Sequence, residues 1–155
     1  MFLYLVRHAE AIDEKMDPAR HLCERGVVAI TKMASYASGL DIGIAEISHS
    51  PKLRAKQTAQ ILADYLRPPH GLRETDGLKP NDNPAVWAER LKVSAGDLML
   101  VGHLPHLGKL TALLLCGDAD MNIVEFRMAG IVCLKRDDYG AWSLQWMITP
   151  EIIVS

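Results

Sequence analysis

Short, almost wholly apolar runs alternating with helix-period segments constrain this chain more than any other feature. Phe2 to Val6, Ile44 to His49 and Leu98 to Val101 read as strands buried on both faces. Between Glu24 and Leu40, apolar residues recur at Val27, Val28, Ile30, Met33, Ala34, Ala37 and Leu40, which is helical spacing. Ser50-Pro51 opens a helix to Leu66, with Ser as N-cap and Pro at the first helical position. Leu72 to Pro84 is loop-like, with room for a short strand near its start. Pro84 to Val93 and Pro105 to Leu115 read as two more helices. Ile131 to Lys135 and Trp142 to Ile148 form a hairpin about Asp137-Asp-Tyr-Gly140. Buried strands alternating with helices predict a three-layer α/β/α fold, its central sheet mostly parallel with a C-terminal antiparallel hairpin. A length of 155 residues fits one domain spanning 1–155.

Composition excludes several classes. Hydrophobic residues make up 49% of the chain, too many for intrinsic disorder. A net charge of −2 shows no basic excess, so no nucleic-acid partner is expected. The three cysteines, Cys23, Cys116 and Cys133, include no C-x-x-C pair. They read as small apolar side chains of a reduced, cytoplasmic protein. No run reaches the roughly 18 apolar residues that span a bilayer. The apolar start stops at Arg7-His8, unlike a signal peptide, so no membrane association is expected.

In sheets of this kind the ligand sits beyond the carboxyl ends of the strands. Arg7-His8 ends the first strand, Ser50-Pro-x-x-Arg54 follows the second, and Gly102-His103 follows the third. Three strand ends thus deliver two arginines and two histidines to one edge. Arg54 falls in a first helical turn, whose free N–H groups also favour anions. A phosphoryl group suits this set. Arg offers planar, permanently charged, bidentate donors to phosphate oxygens. A neutral imidazole can attack phosphorus and carry the group covalently. Phosphoryl transfer is mostly positioning and charge stabilisation, so Arg7, Arg54 and a protonated His103 can stand in for magnesium. No cofactor and no metal is expected. His103-x-x-His106 lacks a third ligand at sensible spacing and has Pro105 between its members.

Four ordered segments carry a resemblance. Arg7-His-Ala-Glu10, Arg20-His-Leu-Cys-Glu-Arg-Gly26, Ser50-Pro-Lys-Leu-Arg54-Ala-Lys-Gln-Thr58-Ala and Gly102-His103 resemble the motifs of the histidine phosphatase, or phosphoglycerate mutase-like, superfamily. The small size and the pairing of Arg7-His-Ala-Glu-Ala11 with the Ser50 segment resemble its SixA-type phosphohistidine phosphatases. The resemblance implies that His8 is the nucleophile and becomes phosphorylated. Arg7, Arg54 and His103 then bind the phosphoryl oxygens, and water releases inorganic phosphate. The family's helix-opening Thr is Cys23 here, a poor N-cap.

Many superfamily members carry an acidic leaving-group donor between the second arginine and second histidine motifs. Asp82 is a candidate, as are Glu74 and Asp76, but Asp82 also reads as a turn or cap residue ahead of Pro84. Glu10 is either a solvated carboxylate or an orienting partner for a basic group. Imidazole leaves phosphohistidine more easily than an alkoxide leaves an ester, so a site without a dedicated acid favours P–N cleavage. Little chain remains to build a lid, which argues against a mutase. An open site admits a phosphorylated side chain on a protein, a histidine-containing phosphotransfer protein by resemblance. The alternatives are a small phosphomonoester substrate and a non-catalytic phosphate-binding module. A neutral His8 with a protonated His103 predicts a bell-shaped rate profile near neutrality.

Among the rest, His106 is expected beside the site or on the helix surface, and His49 behind it. His21 and His70 read as loop residues. Lys52 and Lys56 are solvated or steer anions, and Trp87, Trp142 and Trp146 pack in the core.

Overall fold

The computed structural model describes residues 1–154. In chain order its elements are β1 (Phe2–Arg7), α1 (Glu24–Ser38), β2 (Glu46–His49), α2 (Leu53–Leu66) and β3 (Leu72–Glu74). There follow α3 (Ala85–Val93), β4 (Leu98–Gly102), α4 (His106–Cys116), β5 (Ile131–Arg136) and β6 (Trp142–Ile148), with a short 3₁₀ turn at Pro150–Ile152. The six strands form one sheet in the order β3-β2-β4-β1-β5-β6. β1 to β4 are parallel, and β5 and β6 run antiparallel as a hairpin against β1. This is the α/β architecture expected from the alternation of buried runs and helices.

Side chains alternate across β1 and so divide the core. Tyr4 and Val6 face a cluster built on α1 and α2, with Ile30, Met33, Ala34, Ala55, Ala59 and Leu62. Leu3 and Leu5 face a cluster built on α3 and α4, with Trp87, Leu91, Leu107, Leu110 and Phe126. β4 is buried on both faces in the same way, with Met99 and Val101 on one side and Leu100 on the other. Among the described residues, no helix is long and apolar enough to cross a membrane.

Register sets the position of the site. Arg7 lies opposite Gly102, and His49 lies opposite Val101, so the carboxyl ends of β1, β2 and β4 finish level. The N–H of His8 donates to the carbonyl of Gly102 at 2.9 Å, and that of Ser50 to Val101 at 3.1 Å.

Several boundaries differ from the sequence reading. α1 ends at Ser38, because the N–H of Gly39 turns back to Tyr36 and Ala37. β2 starts at Glu46 rather than Ile44. α2 starts at Leu53, with Lys52 extended at its N-cap. Ser50 and Pro51 are therefore not the N-cap and first residue of that helix, because they cross the strand end first. α3 and α4 begin one residue after their prolines, which occupy the N-cap positions. Of the tryptophans, Trp87 is buried, while Trp142 and Trp146 are only half-buried on the hairpin. Cys133 is buried, but Cys116 is exposed and does not serve as a core side chain.

Candidate active site

His8 lies just past the end of β1 and is buried. Its Nδ1–H donates to the carbonyl of Ala9 at 2.7 Å, which leaves the lone pair on Nε2. His103, just past β4, is buried with its ring centroid 5.1 Å from that of His8. Its Nε2 shares a hydrogen of a 2.8 Å bond with the Ser50 hydroxyl, which also accepts the N–H of Lys52 at 3.2 Å. Arg7 donates from Nη1 to the carbonyl of Phe126 at 3.0 Å. Arg54 lies in the first turn of α2. Thr58, one turn on, donates to the Arg54 carbonyl at 2.7 Å and accepts the N–H of Ala9 at 3.0 Å. That single hydroxyl locks the start of α2 to the segment carrying His8.

Polar capacity is left over at this edge. Arg7 Nε, Arg54 Nε and His103 Nδ1 are buried without a hydrogen-bond partner among the described residues. Buried donors of this kind carry a desolvation cost that an anionic partner relieves. Burial pulls both guanidiniums below the ordinary arginine value, yet they remain cations.

The histidines respond to the same surroundings. Burial lowers His8 to about 4, and the charges of Arg54, Arg7 and Arg20 act in the same direction, against the bond to Ala9. Burial lowers His103 to about 3, helped by His8, Arg54, Lys52 and His106. In the ligand-free site His103 is thus neutral; the protonated His103 expected from the sequence is one holding a phosphoryl group. The fixed positive charge comes from the arginines, and both imidazoles are neutral at pH 7.

The structure brings Arg7, His8, Arg54 and His103 together. It places Glu10 differently: the Glu10 carboxylate accepts from Arg25 Nη2 at 2.7 Å, on the side of α1. Asp82 accepts the N–H of Lys79 at 2.9 Å, as a turn residue does. It shares with Glu74 and Asp76 a cleft of about 510 Å³ that begins at Pro51. Asp76 is paired with Arg90 at 2.9 Å. His49 lies behind the site, its Nδ1–H on the carbonyl of Ser50 at 2.8 Å. His106 is not on the helix surface but fully buried, both ring nitrogens without a partner among the described residues. His21 and His70 are exposed loop residues, and Lys52 and Lys56 are exposed.

Two contributors escaped the sequence reading. Ser50 passed for a helix cap. Thr58 stood inside a motif segment without an assigned task, and only its bonds to Ala9 and Arg54 give it one.

Over residues 3–82, just over half of the 155, the sequence matches the family described as Histidine phosphatase superfamily (branch 1). The chain belongs to the histidine phosphatase superfamily. It is 26% identical to Escherichia coli (strain K12) Phosphohistidine phosphatase SixA, over 97% of this chain and 94% of that protein. It is 32% identical to an uncharacterized protein of Picosynechococcus, over 99% of this chain and 94% of the other. A structure of the protein histidine phosphatase SixA complexed with tungstate superposes with a TM-score of 0.86 at 26% identity, covering 97% of each chain. As a member of this superfamily the chain is a phosphatase.

Proposed function

We propose that this phosphatase hydrolyses phosphohistidine on a protein, through a phosphorylated His8 and without a metal ion. The observation that carries the reading is the His8 imidazole itself: neutral, its Nε2 lone pair free, and set among arginine side chains. Nε2 attacks the phosphoryl group as its bond to the substrate imidazole breaks, and the departing imidazole takes up a proton from solvent water. Water then attacks phospho-His8, the P–N bond breaks, and inorganic phosphate leaves. Arg7 and Arg54 neutralise the phosphoryl oxygens throughout, with the charge of Arg20 added. His103 and Ser50 flank the same group. A bound dianion raises the proton affinity of His103, so it can become a donor only when substrate is present.

The name SixA, carried by a curated relative and by a matching solved structure, supports the substrate class, and tungstate, a tetrahedral oxyanion like phosphate, supports the phosphoryl site. A second reading, a small phosphomonoester as substrate, is favoured by one observation. Glu74 and Asp82 line the cleft beside Pro51, where a leaving alkoxide needs an acid.

The test is phosphate release from a phosphohistidine peptide and from a phosphomonoester, side by side, with a chelator present. Fast release from the peptide alone, abolished by His8→Ala, is expected. Faster release from the ester shifts the substrate to small metabolites and makes Glu74 and Asp82 the next residues to change. Phosphate binding with no turnover of either substrate leaves a phosphate-binding module. Release lost to the chelator and restored by a divalent cation ends the metal-free mechanism.

A further inference from the structure

Ser50 is tied down at its backbone and at its side chain. Its N–H donates to the carbonyl of Val101 at 3.1 Å, and its carbonyl accepts Nδ1–H of His49 at 2.8 Å. Its hydroxyl oxygen, on a wholly buried side chain, accepts the N–H of Lys52 at 3.2 Å just ahead of α2. The register that sets His49 opposite Val101 brings Ser50 level with the end of β4. The hydroxyl is thus a fixed point between the ends of β2 and β4, and it lies 2.8 Å from His103 Nε2.

His103 depends on that contact, because its ring has no other. Nδ1 is buried without a partner, so the bond between Nε2 and Ser50 is the ring's one hydrogen bond among the described residues. The tautomer of an imidazole is set by the hydrogen bonds its nitrogens make, so a ring bonded at one nitrogen owes both its tautomer and its orientation to that bond. The charged and titratable groups that face the ring do not anchor it. His8 past the end of β1, Lys52 and Arg54 at the start of α2, and His106 at the start of α4 all oppose a proton on it, after burial itself. A hydroxyl suits this place. It donates to a neutral imidazole and accepts from a protonated one, so a fixed Ser50 serves both states while the ring stays where it is. A carboxylate there would only accept, and would favour the cation in the empty site.

We propose that Ser50 is a positioning residue for His103: its hydroxyl fixes the tautomer and orientation of the ring beside His8, so that the ring meets the transferred phosphoryl group already aligned. The proposal rests on the phosphatase reading above, and it adds the group that aims one of its site residues. Ser50 acts through His103.

The experiment is a double-mutant cycle on the full chain: Ser50→Ala, His103→Ala and both together, with Ser50→Thr beside them. Two readouts are taken with a chelator present. They are calorimetric binding of inorganic phosphate, and the ring nitrogen signals of His103 in NMR of the isotope-labelled protein. In the wild type the two nitrogens report one tautomer; in Ser50→Ala they average between two. Ser50→Ala weakens phosphate binding about tenfold, the order of one hydrogen bond to a charged group. His103→Ala weakens it by a similar factor, and the double variant binds no worse than His103→Ala alone. Ser50→Thr keeps the hydroxyl and recovers most of the affinity and the single tautomer.

Unchanged His103 nitrogen signals in Ser50→Ala overturn the proposal. So do effects on phosphate binding that multiply in the double variant, because Ser50 then acts through Lys52 and the start of α2 rather than through His103. A folded Ser50→Thr that binds phosphate as weakly as Ser50→Ala overturns it too. Should Ser50→Ala fail to fold, Ser50→Cys, close in size but a weak hydrogen-bonding group, takes its place and is judged in the same way. Wild type that binds phosphate but hydrolyses no phosphohistidine peptide ends the substrate reading and leaves both readouts decisive on Ser50.

Discussion

At the residue scale, burial decides the protonation states of this site. A histidine among cations pays twice for a proton, once for leaving water and once for repulsion. His8 therefore protonates at about 4 and His103 at about 3, both below the ordinary value of 6.5. The neutral His8 imidazole is lost only as pH falls through about 4, so neither ring titrates between pH 5 and 8. Ring carbon shifts in NMR, followed with pH in the phosphate-free protein, check this. A transition of either ring near 6.5 would contradict the burial account. In the ligand-free protein these two groups contribute no limb to a bell near neutrality; such a limb, expected from the sequence, would have to come from His103 in the substrate-bound state. Their identities were legible because each follows a strand end directly in the chain. Their charge was not, because burial belongs to the fold and no spacing of residues reports it. Ser50 was misread for a related reason: a serine ahead of proline looks like a helix cap until His103, distant in sequence, takes its hydroxyl.

At the scale of elements, α1 is the helix whose start presses on the active-site loop. Its N-cap, Cys23, has the extended backbone of a cap at φ −79° and ψ 171° but makes no side-chain cap bond. Cys23→Ser supplies the missing acceptor. It is expected to add about 1 kcal/mol and raise the melting temperature by roughly 2–4 °C. An unchanged melting temperature would mean that water already satisfies those N–H groups. Three residues on, Gly26 has no room for a side chain, since a Cβ there would sit 2.1 Å from the carbonyl oxygen of Glu10. That oxygen also accepts the N–H of Cys23 at 3.0 Å. Gly26→Ala must push the Glu10 backbone, two residues from His8. The expected cost is about 1–3 kcal/mol, with slower phosphate release. Thermal melting and turnover of the same sample measure both. The periodicity that revealed α1 gave its axis and its buried face. The requirement for glycine at 26 comes from a neighbouring segment that packs across the helix start.

At the scale of the whole molecule, function and stability pull in opposite directions at the sheet edge. The parallel arrangement was readable because buried strands and helices alternate, and it fixes the edge at which the level ends of β1, β2 and β4 present their charges. What the fold then does is hold cations together without full partners. Arg7 Nε and Arg54 Nε are both buried and unbonded among the described residues. In the ligand-free protein such groups lower stability, through lost hydration and through repulsion between neighbours. Arg54→Met removes one charge and keeps most of the apolar volume. In buffer without phosphate this variant is expected to melt at a temperature equal to or above that of the wild type, while losing phosphate release. Phosphate reverses the ranking. Ligand at 100 times its Kd adds about 2.7 kcal/mol to a protein that binds it, so the wild type gains and the variant does not. Melting curves of both proteins across a phosphate series check the account. If Arg54→Met melts well below the wild type without phosphate, Arg54 stabilises the fold directly. The opposing demands of charge and burial would then lie with Arg7.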